Sequence, residues 1–256
     1  MIIFTDIHGN FNTFIALLDK IPQSEKDKGV IIAGDLVDRG PNSMQMVQYC
    51  IDNNIAVVMG NHEDMMIREA LEEAEHYNKN KEFNWRSNYS HNPNMAHRNI
   101  WGINGGYVAL ASYFDKDKNI NMELLKSHIE WMKKLPIYLE YKDLKNKNGE
   151  HLLVTHSSAN RVWRWDKNRR EEHKIAFESH LMWGRPTTIK PIKGIFNIFG
   201  HTPVPNGPKI KSCYANIDTG CFYESEGYFK LTAIQFPEMV VYQHDNIDKN
   251  NIYHQG

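Results

Sequence analysis

The chain has 256 residues, enough to bury a sizeable core in one large α/β domain or in two small ones. Its 30 lysines and arginines balance 31 aspartates and glutamates, for a formal net charge of −1, which speaks against a basic nucleic-acid binder. Three cysteines, Cys50, Cys213 and Cys221, stand without Cys-x-x-Cys spacing, which argues against a disulfide framework or a thiolate metal site and for a reducing compartment.

The first sixty residues alternate strand and helix. Ile2 to Thr5 reads as a short apolar strand, and Phe11, Phe14, Ile15 and Leu18 follow at helical spacing. Val30 to Ala33 reads as a second strand, Met44 to Cys50 as a helix, and Ala56 to Met59 as a third strand. This βαβαβ order predicts a parallel sheet with right-handed crossovers. Met1 runs straight into the first strand, leaving no room for a signal peptide, and no apolar run is long enough to span a bilayer. A soluble, cytoplasmic protein with no membrane partner is expected.

From about residue 64 to 135 the texture changes to a mostly helical insertion within a single domain spanning 1–256. Met65, Met66, Ile67 and Leu71 continue one helix, and Ile129 to Met132 with Leu135 close a second piece before Pro136. Between them lies a polar, aromatic stretch, Asn84 to His91. The second half turns to strands at Ile137 to Tyr141, His151 to Thr155, Phe196 to Phe199, Tyr214 to Ile217 and Phe229 to Phe236. Asn148-Gly149 between two apolar runs is a hairpin signal. There are no internal repeats or low-complexity tracts, and the polar tail after Gln243, residues 245–256 above all, is expected to fray.

Five short segments carry residues with chemistry: Asp6-Ile7-His8-Gly9-Asn10, Gly34-Asp35-Leu36-Val37-Asp38-Arg39-Gly40, Gly60-Asn61-His62-Glu63, His156, and Gly200-His201-Thr202. Each follows a short apolar run rich in β-branched residues, and in open parallel sheets ligands sit at the carboxyl ends of strands. Asp6 and His8, two apart, can point to the same side. Asp35 can bridge two cations through its two oxygens. Asn61, His156 and His201 add an amide oxygen and two imidazoles. Mixed oxygen and nitrogen donors suit manganese first, with iron or zinc as alternatives, and disfavour an all-oxygen calcium or magnesium cage.

Two ions roughly 3.5–4 Å apart clamp the attacking and leaving oxygens of a phosphoryl displacement and acidify a bridging water. Arg39 has the forked geometry that grips phosphate. His62, adjacent to Asn61, diverges from the metals and is free to act as general acid, with Asp38 to orient and charge it. Arg185 is the preferred second phosphate clamp, in competition with Arg161, Arg164, Arg169 and Arg170.

Asp-x-His-Gly, Gly-Asp-x-Val-Asp-Arg-Gly and Gly-Asn-His-Glu resemble the signatures of the metallophosphoesterase superfamily in its phosphoprotein phosphatase form. Asn104-Gly105-Gly106, Leu135-Pro136-Ile137-Tyr138, Gly200-His201-Thr202-Pro203 and Asn216-Ile217-Asp218-Thr219-Gly220 extend the resemblance over most of the chain. The chain looks like bacterial and bacteriophage serine/threonine protein phosphatases, with symmetrical diadenosine tetraphosphatases as close cousins. The resemblance implies an αββα sandwich of two mixed sheets flanked by helices. It also implies a first metal on Asp6, His8 and Asp35, and a second on Asp35, Asn61, His156 and His201. Arg39 and Arg185 would hold the phosphate and His62, backed by Asp38, would be the acid. One departure stands out: Ser157-Ser158 follow His156 where the family has Ala-Gly, a glycine that lets the backbone turn beside the metals.

The leading expectation is therefore a two-metal phosphomonoesterase acting on phosphoserine and phosphothreonine proteins and on small phosphoesters. A second is symmetrical hydrolysis of dinucleoside polyphosphates, for which Trp85, Tyr89 and Trp101 could stack on adenine. A third, a phosphate-binding protein without turnover, is opposed by the completeness of the residue set.

Overall fold

The computed structural model describes residues 1–83, 100–164 and 171–248. Their elements run β1 (Ile2–Phe4), α1 (Phe11–Asp19), α2 (Gln23–Lys26), β2 (Val30–Ile32), α3 (Ser43–Asp52), β3 (Ala56–Val57), α4 (Asn61–Asn80), a π-helical turn (Gly102–Gly106), α5 (Tyr107–Ala111) and α6 (Met122–Met132). Then come β4 (Tyr138–Lys145), β5 (His151–Thr155), a 3-10 turn (Asn160–Arg164), α7 (Glu171–Trp183), β6 (Ile195–Phe199), β7 (Lys209–Ile210), β8 (Tyr214–Asn216), β9 (Lys230–Gln235) and β10 (Val240–Asp245).

The strands form two mixed sheets, ordered β10-β9-β1-β2-β3 and β4-β5-β6-β8-β7. β1, β2 and β3 are parallel, with β9 antiparallel beside β1. In the other sheet β5, β6 and β8 are parallel, and β4 and β7 are antiparallel edges.

Because strand side chains alternate in direction, each strand feeds two layers. Ile3, Ile31 and Ile234 of the first sheet meet Leu152, Val154, Ile198 and Ala215 of the second in the inter-sheet core. Their neighbours Ile2, Phe4, Ile32 and Ala233 face outward onto Phe14 and Leu17 of α1, Met46 and Val47 of α3, and Ile129 of α6. Leu153 and Ile195 face the other way, onto Val162, Phe177 and Leu181. The result is the expected αββα sandwich. Each fully buried Ile, Leu or Phe contributes on the order of 1.5–3 kcal/mol by leaving water, so single polar substitutions here are poorly tolerated.

The region 64–135 is mostly helical among its described residues, with a turn and a short Phe114–Ile120 bridge between α5 and α6. Its first helix, α4, starts inside the Gly60-Asn61-His62-Glu63 motif, so this region grows directly out of the site. The second helical piece, α6, starts at Met122, where the Asn121 side chain accepts from the Leu124 N–H. The described part of the tail, up to Asp248, differs from the expected fraying, and residues 249–256 lie outside the described residues. β10 continues to Asp245, and Asn246 and Asp248 are buried. Asp248 accepts the first-turn N–H groups of Asn12 and Thr13 on α1 and the Asn42 amide. A carboxylate at a helix N-terminus is what an otherwise unpartnered first turn calls for.

Candidate metal centre and phosphate site

Most of the site residues sit just beyond the end of a strand, and six of them lie where the chain turns sharply; Arg185 instead follows helix α7. Asp6, His8, Asp35, Asp38, Arg39 and His201 all have φ between 49° and 71°. Non-glycine residues rarely adopt this left-handed backbone, and it clusters where side chains must be aimed at one point. Three features hold these turns. The Glu63 carboxylate accepts the backbone N–H groups of Asp35, Leu36 and Gly60. The Asn10 amide donates to the carbonyls of Ile7 and His8. Gly200 lies so close to Asp6 that a Cβ there would overlap the carboxylate, so no other residue fits.

The histidines are presented in defined tautomers. The Nδ1–H of His8 donates to the Val37 carbonyl and that of His156 to the Ala33 carbonyl, which turns both Nε2 atoms inward. The Nε2 of His156 lies 2.9 Å from Asn61 Oδ1, 3.0 Å from His201 Nδ1 and 3.3 Å from Asp35 Oδ1. Four electron-rich atoms converge with little else between them. A single proton can relieve one such contact; a cation relieves all four, and ligands on ~2.1 Å bonds stand about 3.0–3.4 Å apart.

The electrostatics agree with a site built for positive charge. Burial alone depresses an imidazole, yet Asp35 and Asp6 push His156 up to about 10. His201, buried and facing His156, is pushed down to about 3. The Asp35 carboxyl is opposed by burial, but the surrounding histidines hold it well below the usual carboxylate range.

The other Asp35 oxygen, Oδ2, faces a second group: His8 Nε2 at 3.7 Å and His62 Nε2 at 3.9 Å. Asp6 Oδ1 stands 4.0 Å from His8 Nε2. Its Oδ2 accepts from the Thr5 hydroxyl at 2.6 Å and the His201 N–H at 3.0 Å. His8, Asp35 and His62 form one buried group with metal-ligand spacing, and Asp35, His156 and His201 form another, with Asp35 common to both. The residues present fit a pair of divalent ions sharing one carboxylate.

His62 donates from Nδ1 to Asp38 at 2.6 Å. Asp38 is wholly buried and also accepts the Trp101 indole N–H, 3.0 Å from both of its oxygens. Burial tends to lower His62, but Asp35 and Asp38 raise it above the ordinary imidazole value. Arg39 points its two terminal nitrogens at His8 Nε2 (3.0 Å) and His62 Nε2 (3.2 Å). Its guanidinium carbon lies 5.8 Å from the Phe222 ring centroid and 5.6 Å from that of Tyr223. Gly105, at φ 103°, lets the backbone pass against Arg39 and accept its N–H.

All ten expected site residues are brought to this region. Asp6, His8, Asp35, Arg39, Asn61, His62, Arg185 and His201 line one cleft, with Asp38 and His156 buried behind it. Arg185 is exposed at the rim. Arg169 and Arg170, Trp85 and Tyr89 lie outside the described residues, as do the side chains of Arg161 and Arg164. Trp101 is not a stacking platform: it is fully buried, and its N–H is committed to Asp38.

Ser157 and Ser158 also depart from expectation. Neither has positive φ, so no glycine is needed there. Ser157 instead donates its hydroxyl to the Gly184 carbonyl, beside Arg185. Residues without an expected role also line the cleft: Asp218, whose carboxyl is raised by burial and by Asp6, and the Phe222–Tyr223 pair. The signals for them were present in Asp218-Thr219-Gly220 and in the aromatic run that follows, but only the fold places them opposite Arg39.

Known proteins match this arrangement at three levels. The chain is 25% identical over 258 residues to the asymmetrical bis(5'-nucleosyl)-tetraphosphatase PrpE of Anoxybacillus flavithermus, covering 93% of this chain and 90% of that protein. A segment of 65 residues is 40% identical to a symmetrical bis(5'-nucleosyl)-tetraphosphatase of Buchnera aphidicola, covering 25% of this chain and 24% of that one. The fold is shared with a crystal structure of a protein provisionally named a diadenosine tetraphosphatase (TM-score 0.55, 17% identity, 96% of this chain and 92% of that chain). It is also shared with a serine/threonine phosphatase of Saccharomyces cerevisiae (TM-score 0.52, 12% identity, 97% and 80%). The family model for calcineurin-like phosphoesterases matches residues 1–205, a span that holds all ten of the residues above, and the chain therefore belongs to the calcineurin-like phosphoesterase family.

Proposed function

We propose that this protein is a two-metal phosphoesterase that hydrolyses dinucleoside polyphosphates. The observation that carries the reaction class is the Asp35 carboxylate, whose Oδ1 faces the His156 group and whose Oδ2 faces the His8 group. The substrate class is supported by relatives that align over nine-tenths of the chain and are named tetraphosphatases.

Asp6, His8 and Asp35 would hold one ion and Asp35, Asn61, His156 and His201 the other, with manganese the ion of choice for this donor set. When bound, the pair supplies Lewis-acid charge and an acidified attacking water. The chain's own residues do the rest. Arg39 and Arg185 grip the phosphoryl oxygens and hold them in line. His62, protonated through its pairing with Asp38, delivers a proton from Nε2 to the departing oxygen. Trp101 keeps Asp38 oriented so that the proton sits on the correct nitrogen.

In the test, wild type, Asp35→Asn and His62→Asn are assayed with Mn²⁺ on diadenosine tetraphosphate and on phosphoserine peptides. We expect the dinucleotide to be preferred. We also expect His62→Asn to lose about 10²–10⁴-fold in turnover, the usual worth of a general acid, with folding unchanged. Near-normal rates from His62→Asn would remove it from the mechanism. A preference for phosphopeptides would instead favour the protein phosphatase reading. Products distinguish the cut: ATP plus AMP for the asymmetrical reaction, two ADP for the symmetrical one.

A further inference from the structure

A second cavity of about 260 Å³ adjoins the metal cleft and has no part in the chemistry above. Arg185 lines both spaces. The new cavity is also bordered by Ser157-Ser158, which follow His156, and by Gly200 and Thr202, which flank His201. Its floor is thus the outer side of the loops that carry two of the imidazoles.

Three properties define what it suits. Its charged lining residues are Arg185 and Lys209, both cationic, so it favours an anion. Its volume falls just under the ~300 Å³ at which pockets begin to take drug-sized ligands, so it admits a short chain of phosphates more readily than a whole nucleotide. Among its lining residues, Ser158 is the one whose buried side-chain oxygen has no hydrogen-bond partner among the described residues, at 2% exposure. An unpartnered buried hydroxyl costs roughly 1–3 kcal/mol, which an acceptor oxygen on a ligand would offset after a small rotation. Ser157 contributes differently. By donating to the Gly184 carbonyl it fastens the chain that presents Arg185 at the junction.

We propose that this cavity is a subsite for the phosphates of a polyphosphate substrate lying beyond the one under attack. They would run from the metal cleft past Arg185 to Lys209 and Ser158. The inference rests on the dinucleoside polyphosphate reading above. A phosphoserine or phosphothreonine monoester has no second phosphate to place there, so this subsite separates the two substrate classes.

The test uses the full chain with Mn²⁺ and a methylene-bridged, non-hydrolysable analogue of diadenosine tetraphosphate as inhibitor of p-nitrophenyl phosphate turnover. Lys209→Glu should raise the analogue's inhibition constant about five- to tenfold, the loss of one charged phosphate contact. Ser158→Gly should raise it by a smaller factor. Both should leave kcat/KM for p-nitrophenyl phosphate within about twofold, since that ester has a single phosphate. Lys211→Glu, an exposed charge two residues along, is the control for general repulsion and should leave the constant unchanged. The subsite is overturned if wild type is not inhibited, if Lys209→Glu leaves the constant unchanged, or if Lys211→Glu raises it equally. The dinucleotide reading stands or falls separately, on whether diadenosine tetraphosphate itself is cleaved, so the two failures are distinguishable.

Discussion

Asp38 shows how much of this site depends on residues that touch neither substrate nor metal. A carboxylate with no exposure is raised by burial, and hydrogen bonds from His62 and Trp101 are what keep the anion serviceable. Trp101→Phe keeps the buried ring and removes the N–H. We expect turnover to fall on the order of 10- to 100-fold, as when other orienting partners are lost, with the circular dichroism spectrum unchanged. Glu63 plays the same part for the backbone. Glu63→Gln would turn an amide NH₂ toward N–H groups that now have an acceptor, and should lower unfolding free energy by about 1–3 kcal/mol in a denaturant titration. Neither role was legible in the sequence, although Glu63 sits inside a motif. Only Gly60 among its partners is local; the other two lie 27 and 28 positions away, and the partner of Trp101 lies 63 away. Asp6, His8, Asp35, Asn61, His156 and His201 were legible because each has its own local marker, a polar residue directly after an apolar strand.

At the level of elements, helix α6 is hydrogen-bonded to α3 through His128 as well as packed against the same core. His128 Nε2 lies 3.0 Å from Gln48 Oε1, and its Nδ1 lies 2.8 Å from the Tyr113 hydroxyl. Burial lowers this imidazole to about 4. The unfolded chain, with an ordinary value near 6.5, therefore binds a proton in the window between about 6.5 and 4 that the folded chain does not. Stability from this group is complete above pH 6.5 and is lost as pH falls. The stability advantage of wild type over His128→Gln at pH 7.5 should shrink steadily down to pH 4.5, as read from urea midpoints; an advantage that grew on acidification would contradict the assignment. Helix α1 offers a second case. Asp248→Ala leaves the first-turn N–H groups of Asn12 and Thr13 without their carboxylate, and should cost about 1–2 kcal/mol, seen as a lower melting temperature.

Elements with a clean period were readable: α1 and α3 at helical spacing, β5 and β6 as apolar runs. Helix α7 was not, because its apolar residues do not keep to one side; Phe177 and Leu181 are buried while Ile175 is 59% exposed. Strand β7 has two exposed residues, too few for any period.

Over the whole molecule, the parallel pairing of β1, β2 and β3 followed from the alternation of strands and helices in the first sixty residues. What could not be read was which late strand would flank β1. That place goes to β9, through pairing of Ile3 with Ile234, because the choice of an antiparallel neighbour distant in sequence leaves no mark in either strand taken alone. The same difficulty hid the importance of the final described residues. A chain ending after Phe236 would lack β10, Asn246 and Asp248. It should bind Mn²⁺ more weakly than the full chain, in a calorimetric titration of both, because the Asp6–Asn10 turn loses its outer brace.

Asn246 donates its amide to Asn10 across 236 positions of sequence, and by doing so it locks the turn that carries Asp6 and His8. The order of synthesis gives this contact a temporal meaning. On the two-metal reading, the first proposed ligands to leave the ribosome are among the last to be set in place, so a half-made chain holds their side chains without the cage that would let them capture an ion. Metal loading would then wait on residues as late as Asn246, and refolding should show the same delay, with secondary structure returning before the capacity to bind Mn²⁺.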